Sequence, residues 1–247
     1  MYKRRMVKQI FISAKWKKET RLDEETIDEL NKFNTISIFS AVNFTNLIPE
    51  IIKQIPDVKV IKTKPARAKE CGQVLGCDSY IDSFDKQTFE SDAILYIGDG
   101  SFHPDAILFS QMYSNKKVPV YRWNPIENKL ELFNIERLEN KIKKIKANLI
   151  KFTLSKNIGI LVSVKFGQEH LEKAIKLKEK LKSEGKDSYI FLDNTFDFNK
   201  IEDYNFIDCW VNSACPRIGQ EDCVNLPKAI INIKEAFDVN KYLSDIN

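Results

Sequence analysis

The chain has 247 residues, 43% hydrophobic and 30% charged, and its 39 basic and 35 acidic side chains leave a net charge of +4. This composition excludes a disordered, collagenous or disulfide-scaffold chain. The charge is too balanced for a protein held to nucleic acid by charge alone, so no sequence-specific nucleic-acid partner is expected.

The predicted elements alternate strand and helix. A strand at 8–14 precedes a helix at 23–33 whose first turn, Asp23-Glu24-Glu25, suits the helix dipole. A strand at 35–41 leads to a helix at 46–55, with Pro49 in its first turn. Strands at 58–63 and 93–98, a helix at 104–113 and a strand at 118–123 follow. A long basic helix spans 136–154, and a strand at 157–164 opens a second series. Its helix, 168–184, sets Leu171, Ala174, Ile175 and Leu181 on one stripe and stops at Gly185. Strands at 188–193, 209–215 and 229–234 complete the chain. Several strands are almost continuously apolar, as parallel strands buried on both faces are. The fold class expected is α/β: tandem Rossmann-like domains with mostly parallel sheets. The boundaries expected are an extension over 1–30, one domain over 31–154 and a second over 155–247. The two units follow a common scheme, a weak internal repeat. In helix 136–154, Ile142, Ile145, Leu149 and Phe152 keep helical spacing while the lysines lie elsewhere. That fits a packed helix with a solvated basic face; the alternative is a surface for an acidic or RNA-rich partner.

No run approaches the ~18 apolar residues of a membrane span. The basic start, Met1 to Met6, is followed by no signal-peptide core, so the cytoplasm is the compartment expected. The five cysteines, at 71, 77, 209, 215 and 223, fit a reducing compartment, as metal ligands, reactive thiols or core residues. In Cys71-Gly72-Gln73-Val74-Leu75-Gly76-Cys77-Asp78 the glycines permit a tight turn that aims Cys77 into a cavity; the plainer alternative is a small buried cysteine. Gly98-Asp99-Gly100-Ser101-Phe102-His103-Pro104 follows a strand and opens a helix. It is half of a dinucleotide fingerprint, and its helix start favours an anion. His103 is an acid/base candidate or a helix-start packing residue. Asn212-Ser213-Ala214-Cys215-Pro216-Arg217 puts a cysteine at the carboxyl end of a strand, where α/β folds place ligands, beside a permanent cation. Cys209 reads as a core thiol, Cys223 as ambiguous and His170 as a surface residue.

Four of these segments occur in one order and spacing: Gly72 to Cys77, Ile97 to Pro104, Ser163-Val164-Lys165-Phe166-Gly167-Gln168, and Ala214 to Arg217. Over about residues 8–235 the chain resembles the diphthamide synthesis enzymes, the archaeal and eukaryotic 2-(3-amino-3-carboxypropyl)histidine synthases. The resemblance implies three similar α/β domains around a pseudo-threefold site, each giving one cysteine to a [4Fe-4S] cluster. The fourth iron would bind S-adenosylmethionine. Reductive cleavage of a carbon–sulfur bond would release a 3-amino-3-carboxypropyl radical that adds to one histidine of translation elongation factor 2. This chain would match the second and third domains, with Cys77 and Cys215 as cluster ligands. Gly98, Gly100, His103, Lys165, Gly167, Gln168 and Arg217 would shape the S-adenosylmethionine pocket, with Arg217 a candidate for its carboxylate. No residue is assigned a catalytic role.

The family's first domain and its cysteine have no match, and residues 1–30 would be the end of that domain. Three sources of the missing ligand are expected: a separate chain carrying the domain, a homologous subunit in a heteromer, or Cys71. The last is the least suited, being only six residues from Cys77. Strand 8–14 would present an unpaired edge that invites association. The second functional expectation is a scaffolding partner of the synthase that binds no cluster.

Overall fold

The computed structural model describes residues 12, 14–165 and 167–246. The predicted strand at 8–14 falls almost wholly outside the described residues, as does Phe166. The chain forms helix α1 (Glu24–Leu30), strand β1 (Thr35–Ser40), helix α2 (Ile48–Gln54) and strands β2 (Lys59–Ile61) and β3 (Ala93–Ile97). Helix α3 (Phe102–Ser110), strands β4 (Val120–Asn124) and β5 (Lys129–Phe133) and helix α4 (Glu139–Leu154) follow. The second half runs β6 (Asn157–Ser163), α5 (Leu171–Ser183), β7 (Asp187–Asp193), β8 (Cys209–Asn212), α6 (Arg217–Gln220) and β9 (Ile230–Asn232). Two short helices, α7 (Ile233–Phe237) and α8 (Val239–Asp245), close it. Among the described residues no helix is long and apolar enough to cross a membrane.

The strands make two sheets, ordered β2-β1-β3-β4-β5 and β7-β6-β8-β9. Through its first four strands each sheet has its second, first, third and fourth strand side by side, all parallel. The repeat therefore exists as topology. It also exists as chemistry at the start of each sheet. Asp92, just before β3, accepts from the Thr35 amide at 2.8 Å. Asp208, just before β8, accepts from the amides of Asn157 and Lys156 at 2.8 and 3.0 Å. These amide bonds favour the charged form and hold both carboxyls below the ordinary aspartate range.

The central strands are buried because they are apolar on both faces. Ile36, Ile38 and Phe39 of β1 and Ile94 to Ile97 of β3 lie in the core, as do Ile158 to Val162 of β6, and Trp210 and Val211 of β8. Helix α4, which the sequence reading sets at the end of the first unit, packs on β8, β9, α6 and α8 of the second sheet. Ile145, Leu149 and Phe152 are buried there, each contributing roughly 1.5–3 kcal/mol. Asn148 donates to the Ile230 carbonyl at 3.0 Å.

Strand β5 is an addition to the predicted elements. It pairs antiparallel with β4 through a turn containing Asn128, whose φ is +47°. Five residues with two charges between a proline turn and a helix carry little strand signal by themselves; pairing with β4 supplies the missing stability. Segment 14–22 lies on the first unit. Trp16 bonds the Asn43 carbonyl at 2.8 Å and stacks obliquely on Phe44 at 5.5 Å. The Lys15 ammonium is taken up by Glu70, Thr45 and the Val42 carbonyl.

The two sheets meet across a polar seam. Tyr80 donates to the buried carboxylate of Glu235, and Asn232 donates to the Tyr80 hydroxyl at 3.0 Å. Gln220 reaches the Ser79 carbonyl at 3.3 Å.

Candidate functional site: two cysteines from two sheets

Cys77 sits in the long connection between β2 and β3, folded over the carboxyl end of β1. The Ser40 amide bonds the Gly72 carbonyl at 2.7 Å, and the Val74 amide bonds the Ser40 carbonyl at 3.0 Å. The Gln73 side chain accepts from the amides of Lys69 and Glu70. Glycine is required twice. Gly72 has φ +79°, and a Cβ there would lie 2.5 Å from the Ile48 side chain. A Cβ on Gly76 would strike the Phe102 ring. Asp78 is fully buried and accepts from the Leu75 amide at 2.9 Å. Arg67 donates through Nη2 to the Cys77 carbonyl at 2.5 Å and to Asp78 Oδ1 at 3.4 Å.

Cys215 follows β8 directly. The predicted strand to residue 215 stops at Asn212, because the side chain of Asn212 bends the chain. Its carbonyl oxygen accepts from the Ala214 amide at 3.0 Å, and its amide donates to the Cys215 carbonyl at 2.8 Å. Ser213 is pinned to the Leu161 carbonyl by amide and hydroxyl. Pro216 then starts α6.

Both cysteines are half-buried and free. They come from loops on different sheets. Burial pushes the Cys77 thiol up, Arg67 draws it down, and Asp78 and Cys215 push it up further. The remaining cysteines are elsewhere. Cys71 is exposed; Cys209 and Cys223 are in the core, their thiols pushed up to about 12 by burial. Among the described residues no three His, Cys, Asp or Glu side chains gather to hold a metal ion.

The glycine loop after β3 borders this place. Arg122 bonds the Gly100 carbonyl at 3.1 Å, and the Gly98 amide bonds the Trp123 carbonyl at 3.0 Å. His103 stands in the first turn of α3, stacked on Tyr96 at 6.0 Å. Burial, then the Arg217 charge, hold its imidazole below the usual range. After β6, Gly167 takes φ +78° in a turn closed by the Gln168 amide on the Lys165 carbonyl at 3.0 Å; Lys165 and Gly167 are exposed.

Arg217 lies in a different setting from an open cation. It is only 3% exposed. Its guanidinium is paired with Glu221, donates to the Phe102 carbonyl at 2.8 Å and the Gly76 carbonyl at 3.5 Å, and lies over the Phe102 and Phe109 rings. It therefore ties the residue two places after Cys215 to the residue just before Cys77. Arg67, which the sequence reading did not single out, holds the Cys77 loop. His170, read there as a surface residue, stands half-buried at the start of α5. The position of His170 beyond a strand-end loop is the signal that could have flagged it.

A family model described as "Putative diphthamide synthesis protein" matches residues 2–243. The chain is 32% identical over 166 residues to 2-(3-amino-3-carboxypropyl)histidine synthase subunit 1 of Yarrowia lipolytica, covering 67% of this chain and 36% of that one. It is 30% identical over 164 residues to 2-(3-amino-3-carboxypropyl)histidine synthase of Pyrococcus horikoshii, covering 66% of this chain and 44% of that one. Its fold matches the crystal structure of Dph2 from Pyrococcus horikoshii with a 4Fe-4S cluster, at a TM-score of 0.70 and 25% identity. That match covers 90% of this chain and 60% of the other, so the chain spans between a third and two thirds of these relatives. With the parallel sheets, the ordered motifs and the family match over nearly its whole length, the chain belongs to the diphthamide synthesis family.

Proposed function

We propose that this chain is part of a 2-(3-amino-3-carboxypropyl)histidine synthase and supplies two of the three cysteine ligands of a [4Fe-4S] cluster, Cys77 and Cys215. The reaction is transfer of a 3-amino-3-carboxypropyl group from S-adenosylmethionine to a histidine of translation elongation factor 2. The observation that carries this reading is Arg217, two residues after Cys215, which donates to the carbonyl of Gly76, the residue before Cys77, with both cysteines half-buried. Soft thiolates are the donors such clusters take, and the donor pair fits. The third thiolate comes from outside the described residues, and a separate chain with the family's first domain is the source we propose.

When bound, the cluster supplies the electron that breaks a carbon–sulfur bond of S-adenosylmethionine. This chain's own residues do the rest of the holding. The clamps on both cysteine loops fix the thiol positions before any ligand arrives, which lowers the ordering cost of binding. Gly98 and Gly100 let a ligand approach the backbone at the end of β3. His103 offers a neutral imidazole there, and Lys165, Gly167 and Gln168 border the second side. The relatives named subunit 1 fit an assembly of more than one chain.

The test is anaerobic reconstitution with the candidate partner chain, followed by iron and sulfide content and transfer to elongation factor 2. Cys77→Ser and Cys215→Ser are each expected to lose cluster and transfer, and Cys71→Ser to keep both. Full cluster content and transfer in either of the first two variants would falsify the assignment. A complex that never holds a cluster would leave the chain a scaffolding partner.

A further inference from the structure

One hydrogen-bonded chain runs from the Cys215 loop through the second sheet to the stretch that carries Cys77. Asn212 and Asn232 are register partners on β8 and β9, and both are buried. The direction of the chain is fixed at its start. The Ala214 amide can only donate, so Asn212 turns its carbonyl oxygen there, at 3.0 Å. Its Nδ2 then donates to the Cys215 carbonyl and to Asn232 Oδ1, both at 2.8 Å. That leaves Asn232 Nδ2 to donate to the Pro216 carbonyl at 2.9 Å and to the Tyr80 hydroxyl at 3.0 Å. The hydroxyl, having accepted, donates in turn to the buried carboxylate of Glu235, whose oxygens stand 2.8 and 2.9 Å away. A carboxylate only accepts, so the chain ends there. The Asn232 carboxamide is also confined by α6, since a Cβ on Gly219 would lie 2.5 Å from its Oδ1. Tyr80 stands three residues after Cys77. The bonds that clamp Cys77 itself run through Gln73, Asp78 and Arg67 and bypass Tyr80.

Resting on the function proposed above, in which Cys215 is a cluster ligand, we infer that Tyr80 is a positioning residue for Cys215, acting through Asn232. The hydroxyl is one of the two acceptors that hold Asn232 Nδ2 and so keep Oδ1 turned to Asn212. With Oδ1 held, Asn212 keeps its own Nδ2 on the Cys215 carbonyl. Members of such a network support one another, so the loss of one loosens the rest. The thiol on the second sheet is thus aimed in part by a side chain from the first. Arg217 makes the opposite crossing, from just after Cys215 to the Gly76 carbonyl just before Cys77. Each cysteine loop therefore holds part of the other. Tyr113 donates to the same carboxylate, at 3.3 Å, and branches off the chain beyond Tyr80.

The test reads each thiol separately in the full chain without metal, by timed iodoacetamide alkylation and mass spectrometry. Tyr80→Phe removes one hydroxyl and keeps the ring. It is expected to quicken Cys215 labelling about 3-fold to 10-fold, the range for one hydrogen bond, and to leave Cys77 at its wild-type rate. Tyr113→Phe takes a hydroxyl from the same carboxylate and is expected to leave both rates alone. Asn232→Asp keeps the acceptor for Asn212 and loses both donated bonds. It is expected to quicken Cys215 at least as much, and adding Tyr80→Phe to it should change nothing further. If Asn232→Asp does not fold, checked by circular dichroism, the two tyrosine variants decide. Equal quickening of both thiols in Tyr80→Phe, or the same effect from Tyr113→Phe, would mean that Tyr80 only stabilises the seam. An unchanged Cys215 rate in Tyr80→Phe, or further quickening on the Asn232→Asp background, would mean that Tyr80 does not act through Asn232. Each of these results overturns the inference and leaves the proposed function intact, since labelling needs no cluster. A reconstituted wild-type complex that never takes up iron would instead overturn the proposed function, with the labelling rates unmoved.

Discussion

The two sheets are alike at one end and unlike at the other. At their amino ends the same device recurs: Asp92 and Asp208 each close the start of the first strand of their sheet. At their carboxyl ends the two cysteines arrive by different routes. Cys215 comes three residues after β8 and is held mainly by Asn212. Cys77 comes midway through the long excursion between β2 and β3, and needs Gln73, Asp78, Arg67 and two glycines to hold it. The difference shows which part of a repeated fold is free to change. The amino ends carry pairing and stability, while the carboxyl ends, where such folds bind ligands, diverge in how each cysteine loop is held.

Removing Arg217 would break this comparison most severely, because it joins the two routes. Arg217→Ala strips the Phe102 and Gly76 carbonyls of a buried donor and empties the space against the Phe102 and Phe109 rings, while Glu221 keeps Lys141; it is expected to cost about 3–5 kcal/mol in chemical denaturation. It is also expected to lower the yield of a short dithiol crosslink between Cys77 and Cys215. Unchanged crosslinking would show that the loops meet without the tie.

The next effect is pH dependence of the seam. Glu235 is buried and accepts from the hydroxyls of Tyr80 and Tyr113; Tyr242, Lys234 and Asp82 are the further ionisable groups of that region. Burial raises its carboxyl from 4.5 to about 7, against the tyrosine and backbone hydrogen bonds that lower it. The folded state thus binds this proton more tightly than the unfolded one. Stability from this group is full below about pH 4.5 and falls as pH rises through 7, by an amount on the order of 3 kcal/mol. Denaturation of Glu235→Gln between pH 5 and 8 should lack that fall; an identical slope in the variant would remove Glu235 as its source.

The smallest effects compare the two loops directly. Gly76→Ala drives a Cβ into Phe102 and is expected to cost about 1–3 kcal/mol. Asn212→Ala strips the Ala214 amide and the Cys215 carbonyl of their partner, at about 1–2 kcal/mol. Alkylation followed by mass spectrometry should show faster labelling of Cys77 in the first variant and of Cys215 in the second. Both thiols quickening in both variants would mean that the loops move as one.

Much of the fold was legible because parallel strands are read from their own residues: the apolar runs around Ile36, Ile94, Ile158 and Val211 are strands wherever they stand. β5 was not, since its order comes from β4. The membership of α4 was not either, because an amphipathic stripe shows that a helix packs and not on which sheet. At the site, the two cysteines and the glycine loop carry local signatures. Arg217 and Arg67 do not. An arginine beside a cysteine in sequence looks like a ligand hook, yet Phe102, Phe109 and Glu221 enclose it; an arginine ten residues before Cys77 looks like surface, yet the loop folds back to it.

The seam joining the sheets sets hydroxyls, carboxamides and a carboxylate among its apolar contacts. An oily joint slides, losing little for each degree of slip. A joint of directed bonds such as Tyr80 to Glu235 and Asn232 to Tyr80 holds one angle or lets go of several partners together. The spacing of the two thiols inherits that behaviour. Under the proposed function, that makes the seam a caliper whose opening is set when the chain folds.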